Sequence, residues 1–154
     1  MANAEISSTL FSLDSRRLLT RSLDDTVKLF DLRTTSKPLA IATDLPCSYG
    51  EANAIFSPTE SVVIAGTSVR KGQGESGKLV ILDSNTLQPV KQVSVNESSV
   101  VKILWHPKLN QIIVGTGNGA MFVYYDEAVS VKGALLCASK GIRRSHGPEV
   151  VMNT

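Results

Sequence analysis

Along this chain apolar residues gather in runs of four to six, rich in Val, Ile and Leu, and Gly, Pro, Asn, Asp or Ser ends each run. Helical spacing is almost absent. Short β-branched runs between turn formers predict strands, so the chain is expected to be all-β. The six prolines (Pro38, Pro46, Pro58, Pro89, Pro107 and Pro148) all lie between runs or at the first residue of one. Those are the places where a strand ladder tolerates a missing N–H.

The stretch Leu18–Arg33, LLTRSLDDTVKLFDLR, shows the unit most clearly. An apolar front, a polar turn at Ser22-Leu23-Asp24-Asp25 and the alternating run Thr26–Asp31 predict a hairpin. Asp24 reads as a turn former, accepting from nearby backbone N–H groups. The same grammar occurs three times. The first copy runs from Phe11-Ser12 through Leu18-Leu19-Thr20 to Leu29-Phe30-Asp31, and the second from Phe56-Ser57-Pro58 through Val62–Thr67 to Val80-Ile81-Leu82-Asp83. The third goes from Trp105-His106-Pro107 through Ile112–Thr116 to Tyr124-Tyr125-Asp126.

The three openings are 45 and 49 residues apart, and opening and closing residues are separated by 20, 27 and 21 positions. The middle copy therefore carries an insertion, Val69–Glu75, in its hairpin turn. A period of roughly 40–45 residues with four short strands is the mark of a propeller blade. Fourth strands are expected at Leu39–Thr43, Pro89–Val95 and Gly133–Cys137, and Asn118-Gly119 is compatible with a type I′ turn. This gives three blades at about 4–45, 50–96 and 98–138, followed by 139–154 as a flexible basic tail. Closed rings take about four to eight blades, so three make an open, partial propeller with two exposed faces. Remaining blades or another chain are expected to complete the ring.

Composition narrows the function classes. Apolar residues make up 42% and charged residues 19%, which is ordinary for a globular chain. A net charge of +2 is too small to argue for nucleic acid. No basic segment followed by an apolar core opens the chain, and no apolar run is long enough for a membrane helix. Cys47 and Cys137, far apart and outside any CxxC, are expected to be reduced thiols.

Three motifs invite chemistry. Gly72-Gln73-Gly74-Glu75-Ser76-Gly77-Lys78 mimics a phosphate loop, but Leu79 follows the Lys where a magnesium-binding hydroxyl belongs, and the run Leu79–Leu82 predicts a strand instead of a helix. His106 and His146 are the only histidines, with no second ligand at metal spacing; His106 is expected to make a local hydrogen bond. Nothing in the sequence positions either cysteine against His106, so no catalytic residue and no cofactor is assigned. In the tail, Lys140, Arg143 and Arg144 are candidates for auxiliary anion contacts, suited to phosphates without sequence reading.

The repeated hairpins resemble the WD-repeat family, and the stretches GTSVRKGQGESGKLVILD and LWHPKLNQIIVGTGNGAMFVYYD are similar to the C-terminal blades of its gastrulation-defective branch. The resemblance covers about Phe11 to Cys137 and implies a non-catalytic scaffold for protein partners, nuclear with or without a cytoplasmic pool. It further implies a substrate-receptor-like role in a cullin-RING ubiquitin ligase, in a chromatin and DNA-damage setting. The box through which such receptors meet the ligase's propeller-shaped adaptor is similar to Leu18–Arg33, with its aromatic-Asp-x-Arg ending at Phe30-Asp31-Leu32-Arg33. Phe30, Asp31 and Arg33 are thus the partner-binding candidates. Asn85 and Ala128 stand at the equivalent of Arg33 in the other copies. The chain departs from the family pattern in two ways: no Gly-His pair precedes the copies, and Phe30 replaces the usual Trp, whose indole N–H it lacks. The alternative reading is a nucleic-acid or chromatin binder acting through the tail.

Overall fold

The structure, a computed structural model, describes residues 4–69, 75–138 and 150–152. Three four-stranded sheets follow one another along the chain. The first holds β1 (Ile6–Phe11), β2 (Arg17–Ser22), β3 (Val27–Asp31) and β4 (Ala40–Ala42); the second holds β5 (Ala54–Phe56), β6 (Val62–Gly66), β7 (Gly77–Asp83) and β8 (Pro89–Asn96). The third holds β9 (Val100–His106), β10 (Gln111–Thr116), β11 (Met121–Tyr125) and, beyond a short helix α1 (Ala134–Ala138), β12 (Val150–Met152). Among the described residues no sheet closes into a barrel. Among the described residues no helix is long and apolar enough to cross a membrane.

The three sheets are copies in register as well as in sequence. Each opening aromatic pairs with the residue seven positions on, and that residue pairs with the one closing the hairpin. The rows are Phe11–Leu18–Phe30, Phe56–Val63–Leu82 and Trp105–Ile112–Tyr124. In the first two blades the closing Asp follows its row at once; in the third, Tyr125 intervenes before Asp126. The closing carboxylates do the same work in all three. Asp31 accepts from Arg33 N, Asp83 from Asn85 N and Thr86 N, and Asp126 from Ala128 N and Val129 N.

Strand alternation decides which blade each residue meets, since successive side chains point to opposite faces. In blade 2, Ala54, Phe56, Val63, Ala65, Val80 and Leu82 pack against Leu19, Val27 and Leu29 of blade 1. The intervening Ile55, Ile64, Leu79 and Ile81 pack against Ile103, Val114 and Phe122 of blade 3. Polar groups lock the same two junctions. Asn53 clamps the backbone of blade 3, its Nδ2 donating to Ile103 O and its Oδ1 accepting from Ile103 N, both at 2.8 Å. Arg17 crosses from blade 1 to donate to Ser84 O (3.2 Å), Asn85 Oδ1 (3.2 Å) and Glu60 Oε2 (3.4 Å), its guanidinium 5.4 Å from the centre of the Phe56 ring.

The sequence-based strands hold except at the end of the third blade. Gly133–Cys137, expected as a fourth strand, is instead a left-handed glycine (φ 56°) leading into α1. Ala-Leu-Leu-Cys-Ala contains good helix formers and no β-branched residue, which explains the outcome. Val150–Met152, within the stretch expected to be a tail, takes the fourth place and pairs with β11 in parallel. The Asn118-Gly119 turn also differs from type I′, which needs positive φ at both residues. Gly119 carries the positive φ (83°), and Gly119 N donates to Thr116 O, a turn closed by a left-handed glycine.

Candidate functional site

Phe30, Asp31 and Arg33 come together at one rim of blade 1, where the β1–β2 turn and the β3–β4 loop meet through the Arg17–Asp31 pairing. β3 ends at Asp31 because its carboxylate turns back to cap the loop, accepting from Arg33 N at 2.9 Å. The same carboxylate holds the Arg33 side chain in a fork. Nε donates to Oδ1 at 3.3 Å and Nη2 to Oδ2 at 3.0 Å. Arg33 remains 77% exposed while so held. The Arg33 hydrogen bonds, side chain and backbone, keep Asp31 below the usual carboxylate range, with Arg16 adding a weaker field. Asp31 in turn raises Arg33. Phe30 lies half-buried beside its cross-strand partner Leu18, on the face of blade 1 turned away from blade 2.

The arrangement can present a planar cation at a fixed place on a rigid strand end, which suits carboxylate or carbonyl recognition. Blade 2 uses the equivalent position differently, since Asn85 accepts from Arg17 of the blade before it. Lys140, Arg143 and Arg144 lie outside the described residues. The Gly72–Lys78 motif is partly outside them as well; its described end opens β7 and no helix, and a Cβ on Gly77 would run into the Ser98 carbonyl. His106 accepts from Leu109 N at Nδ1 (3.2 Å), the local bond expected of it. Among the described residues no three His, Cys, Asp or Glu side chains gather as metal ligands.

Asp24 is a turn former, as expected, and a strong one. Its Oδ1 accepts from Thr26 N (3.2 Å) and Thr26 Oγ1 (2.5 Å), and its Oδ2 from Lys28 Nζ (2.8 Å). Partial burial pushes its carboxyl up, but the bonds from Lys28, Thr26 and Ser22 together outweigh that and bring it to about 2.

Two arginines matter that sequence reasoning passed over. Arg17 joins the blades as described, and Arg21 is fully buried. Its guanidinium donates to Leu45 O (2.6 Å), Gly66 O (3.1 Å), Pro46 O (3.2 Å) and Thr26 O (3.3 Å), tying the loop after blade 1 to β6. Burial lowers its pKa, partly countered by Cys47 and Asp25. Strand alternation did contain the signal, since Arg21 shares its face with Leu19.

No family model matches the chain. WD repeat-containing protein 70 of Bos taurus is 45% identical over 147 residues, and the gastrulation defective protein 1 homolog of Drosophila melanogaster is 41% identical over 148 residues. Each alignment covers 96% of this chain and 22% of the relative, so the chain spans under a quarter of the length of these proteins. Among solved structures, a chain in the crystal structure of the mitotic checkpoint complex superposes with a TM-score of 0.60 at 18% identity, covering 73% of this chain and 32% of that one. That likeness concerns the fold.

Proposed function

The chain is a relative of the WD-repeat proteins, and on that premise we propose that it is a non-catalytic scaffold that holds protein partners on the rims of its blades. The partner-facing anchor in this reading is Arg33, and the partner is the adaptor of a cullin-RING ubiquitin ligase, in a nuclear setting of chromatin and DNA damage. The observation that carries the reading is the Asp31–Arg33 fork, an exposed guanidinium oriented by a carboxylate at a strand end. Equivalent positions in the other blades hold Asn85 and Ala128. Arginine anchors backed by rigid elements are frequent centres of binding energy.

The test is recovery of the purified ligase adaptor by the wild type, Arg33→Ala and Arg33→Lys. Loss of most binding in both variants is expected, because an ammonium cannot reproduce a planar fork. Equal recovery by wild type and Arg33→Ala removes Arg33 from the account. A variant with Lys140, Arg143 and Arg144 replaced by alanine, which keeps the strand Val150–Met152, is run beside them. If those substitutions alone abolished capture of duplex DNA, with a steep salt dependence, the basic residues of that stretch and not the blade rim would be the binding element.

A further inference from the structure

The β3–β4 loop of blade 1 is built differently from its counterpart in blade 2. Eight residues separate β3 from β4, where five separate β7 from β8. In blade 2 the loop hydroxyl is used up, since Thr86 Oγ1 donates to Asp83 Oδ1 at 3.0 Å. In blade 1 the Arg33 side chain occupies both oxygens of the equivalent Asp31, and the hydroxyls of Thr34, Thr35 and Ser36 make no hydrogen bond among the described residues. Arg33 through Lys37 are all exposed. Thr34 is pinned by its N–H to Asp31 O at 3.0 Å, whereas the backbone of Thr35 and Ser36 bonds to no described residue. An arginine three residues before a hydroxyl occurs twice in the chain, at Arg17–Thr20 and at Arg33–Ser36. Thr20 lies in β2 at 6% exposure, and Arg17 is committed to blade 2. The fold therefore buries one copy of the pattern and opens the other.

A guanidinium carries five N–H donors, and Asp31 takes one from Nε and one from Nη2 of Arg33. The remaining donors, two on Nη1 and one on Nη2, form an edge that bonds to no described residue. We propose that Ser36 is a phosphorylation site, modified by a serine kinase that reads an arginine three residues before its acceptor, and that the attached phosphate seats on this free edge of Arg33. Kinases select substrates by such charge patterns. Lys37, not a proline, follows Ser36, so the pattern suits a kinase that reads basic residues and not a proline-directed one. In the step, the Ser36 hydroxyl oxygen bonds to the γ-phosphorus of ATP and the bond from that phosphorus to the bridging oxygen breaks. ADP leaves, and the hydroxyl proton passes through the kinase's base to solvent. The product adds a charge of about −1.5 to −2 at pH 7 and three acceptor oxygens. Two of these can meet the Arg33 fork while Asp31 still holds its other edge. The consequence for binding rests on the adaptor reading: a seated phosphate covers the donors with which Arg33 meets the adaptor, so phosphorylation releases that partner.

The test incubates the 154-residue chain with ATP and a calmodulin-dependent protein kinase, which reads that arginine, and maps the phosphate by tandem mass spectrometry. Ser36 should carry it and Thr20 should not. Arg33→Ala should take up about tenfold less at Ser36, the worth of one charge-assisted contact. An unmodified Ser36, or equal uptake in Arg33→Ala, overturns the site. Phosphorus NMR reads the seating. The second ionisation of the phosphoserine should lie lower in the folded chain than in the same chain in urea, because the guanidinium favours the dianion. Equal values overturn the seating. Capture of the purified adaptor by the phosphorylated chain should fall by about tenfold as well. If Arg33→Ala captures the adaptor as the wild type does while Ser36 is modified and seated, the adaptor reading fails and the site stands. If capture needs Arg33 yet survives phosphorylation, the adaptor reading stands and the release is overturned.

Discussion

Phe11 and Phe56 occupy the same place in consecutive blades, and their surroundings could hardly differ more. Each ends the first strand of its sheet and pairs with the residue seven positions on. Phe56 is buried under blade 1 with the Arg17 guanidinium over its ring, while Phe11 lies 60% exposed. The residue and its backbone are the same; the neighbour is what differs. In a stack of this kind a blade cannot bury its own faces, so stability resides in the junctions. A conserved-looking repeat position therefore says what a residue is built to meet, and only the adjoining blade decides whether it does.

The largest expected effect tests that statement directly. Phe56→Ala should cost about 3–5 kcal/mol, the range for removing a buried aromatic, and Phe11→Ala under about 1 kcal/mol. Urea denaturation of both variants at low protein concentration measures the gap. Equal losses would mean that the blades are not stacked as described.

A second pair sharpens the point without touching an aromatic. Gly66 and Gly115 are equivalent by register, each three residues past the central residue of its aromatic-opened row and pairing forward to the third strand, with Leu79 and Met121. A Cβ on Gly66 would lie 2.5 Å from Val100 Cγ1 and 2.9 Å from Val100 O across the junction; on Gly115 its nearest neighbour is Lys102 Cβ at 3.6 Å. Gly66→Ala should cost about 1–3 kcal/mol by overpacking, and Gly115→Ala should fall within about 0.5 kcal/mol of wild type. Should both be tolerated, blades 2 and 3 do not approach as closely as the Val100 contact requires.

These pairs also show what the sequence could reveal. Alternation and turn chemistry act within a few residues, so the three hairpins, their register and the turn role of Asp24 were legible. The blade rim at Phe30, Asp31 and Arg33 was legible too, because it is one local turn. For Arg21 alternation could give the inward face but not the partners, since its acceptors come from Leu45, Pro46 and Gly66, and only tertiary structure gathers carbonyls so far apart. The same holds for the Asn53 clamp, whose partner is fifty residues on. The last blade failed for another reason. Its fourth position was assigned by repeat length, whereas Ala134–Ala138 has helix-forming composition and Val150–Met152 supplied the β-branched residues.

Arg17 and Arg33 compare a junction cation with a rim cation. Arg17, 22% exposed, binds three groups of the next blade; Arg33, 77% exposed, binds its own blade's Asp31. Arg17→Ala should lower stability by about 1–2 kcal/mol through lost hydrogen bonds and ring contact. Arg33→Ala should leave the denaturation midpoint unchanged, because an exposed pair is largely screened by water. A midpoint shift in Arg33→Ala as large as that of Arg17→Ala would make Arg33 structural and weaken its case as a partner anchor.

The smallest effect concerns two equivalent turns, one charged and one neutral. Asp24 and Asn118 both accept from the backbone N–H two residues on, but Asp24 alone adds Lys28 Nζ. With its carboxyl held at about 2 against an ordinary 3.8, Asp24 favours the folded state wherever it is ionised in both states. That contribution is complete above the ordinary value and fades as pH falls toward the folded one. Its size is on the order of 1 kcal/mol, since the pair is partly solvated. Asp24→Asn would give blade 1 the turn blade 3 already has. Other carboxylates, Asp31 and Asp83 among them, are also held low, so the wild type alone would not isolate this one. The difference between wild type and Asp24→Asn does: it should be present at about pH 6, shrink below about pH 4 and vanish near pH 2. A difference that stayed constant over that range would mean that turn geometry, and not the charge on Asp24, holds the hairpin.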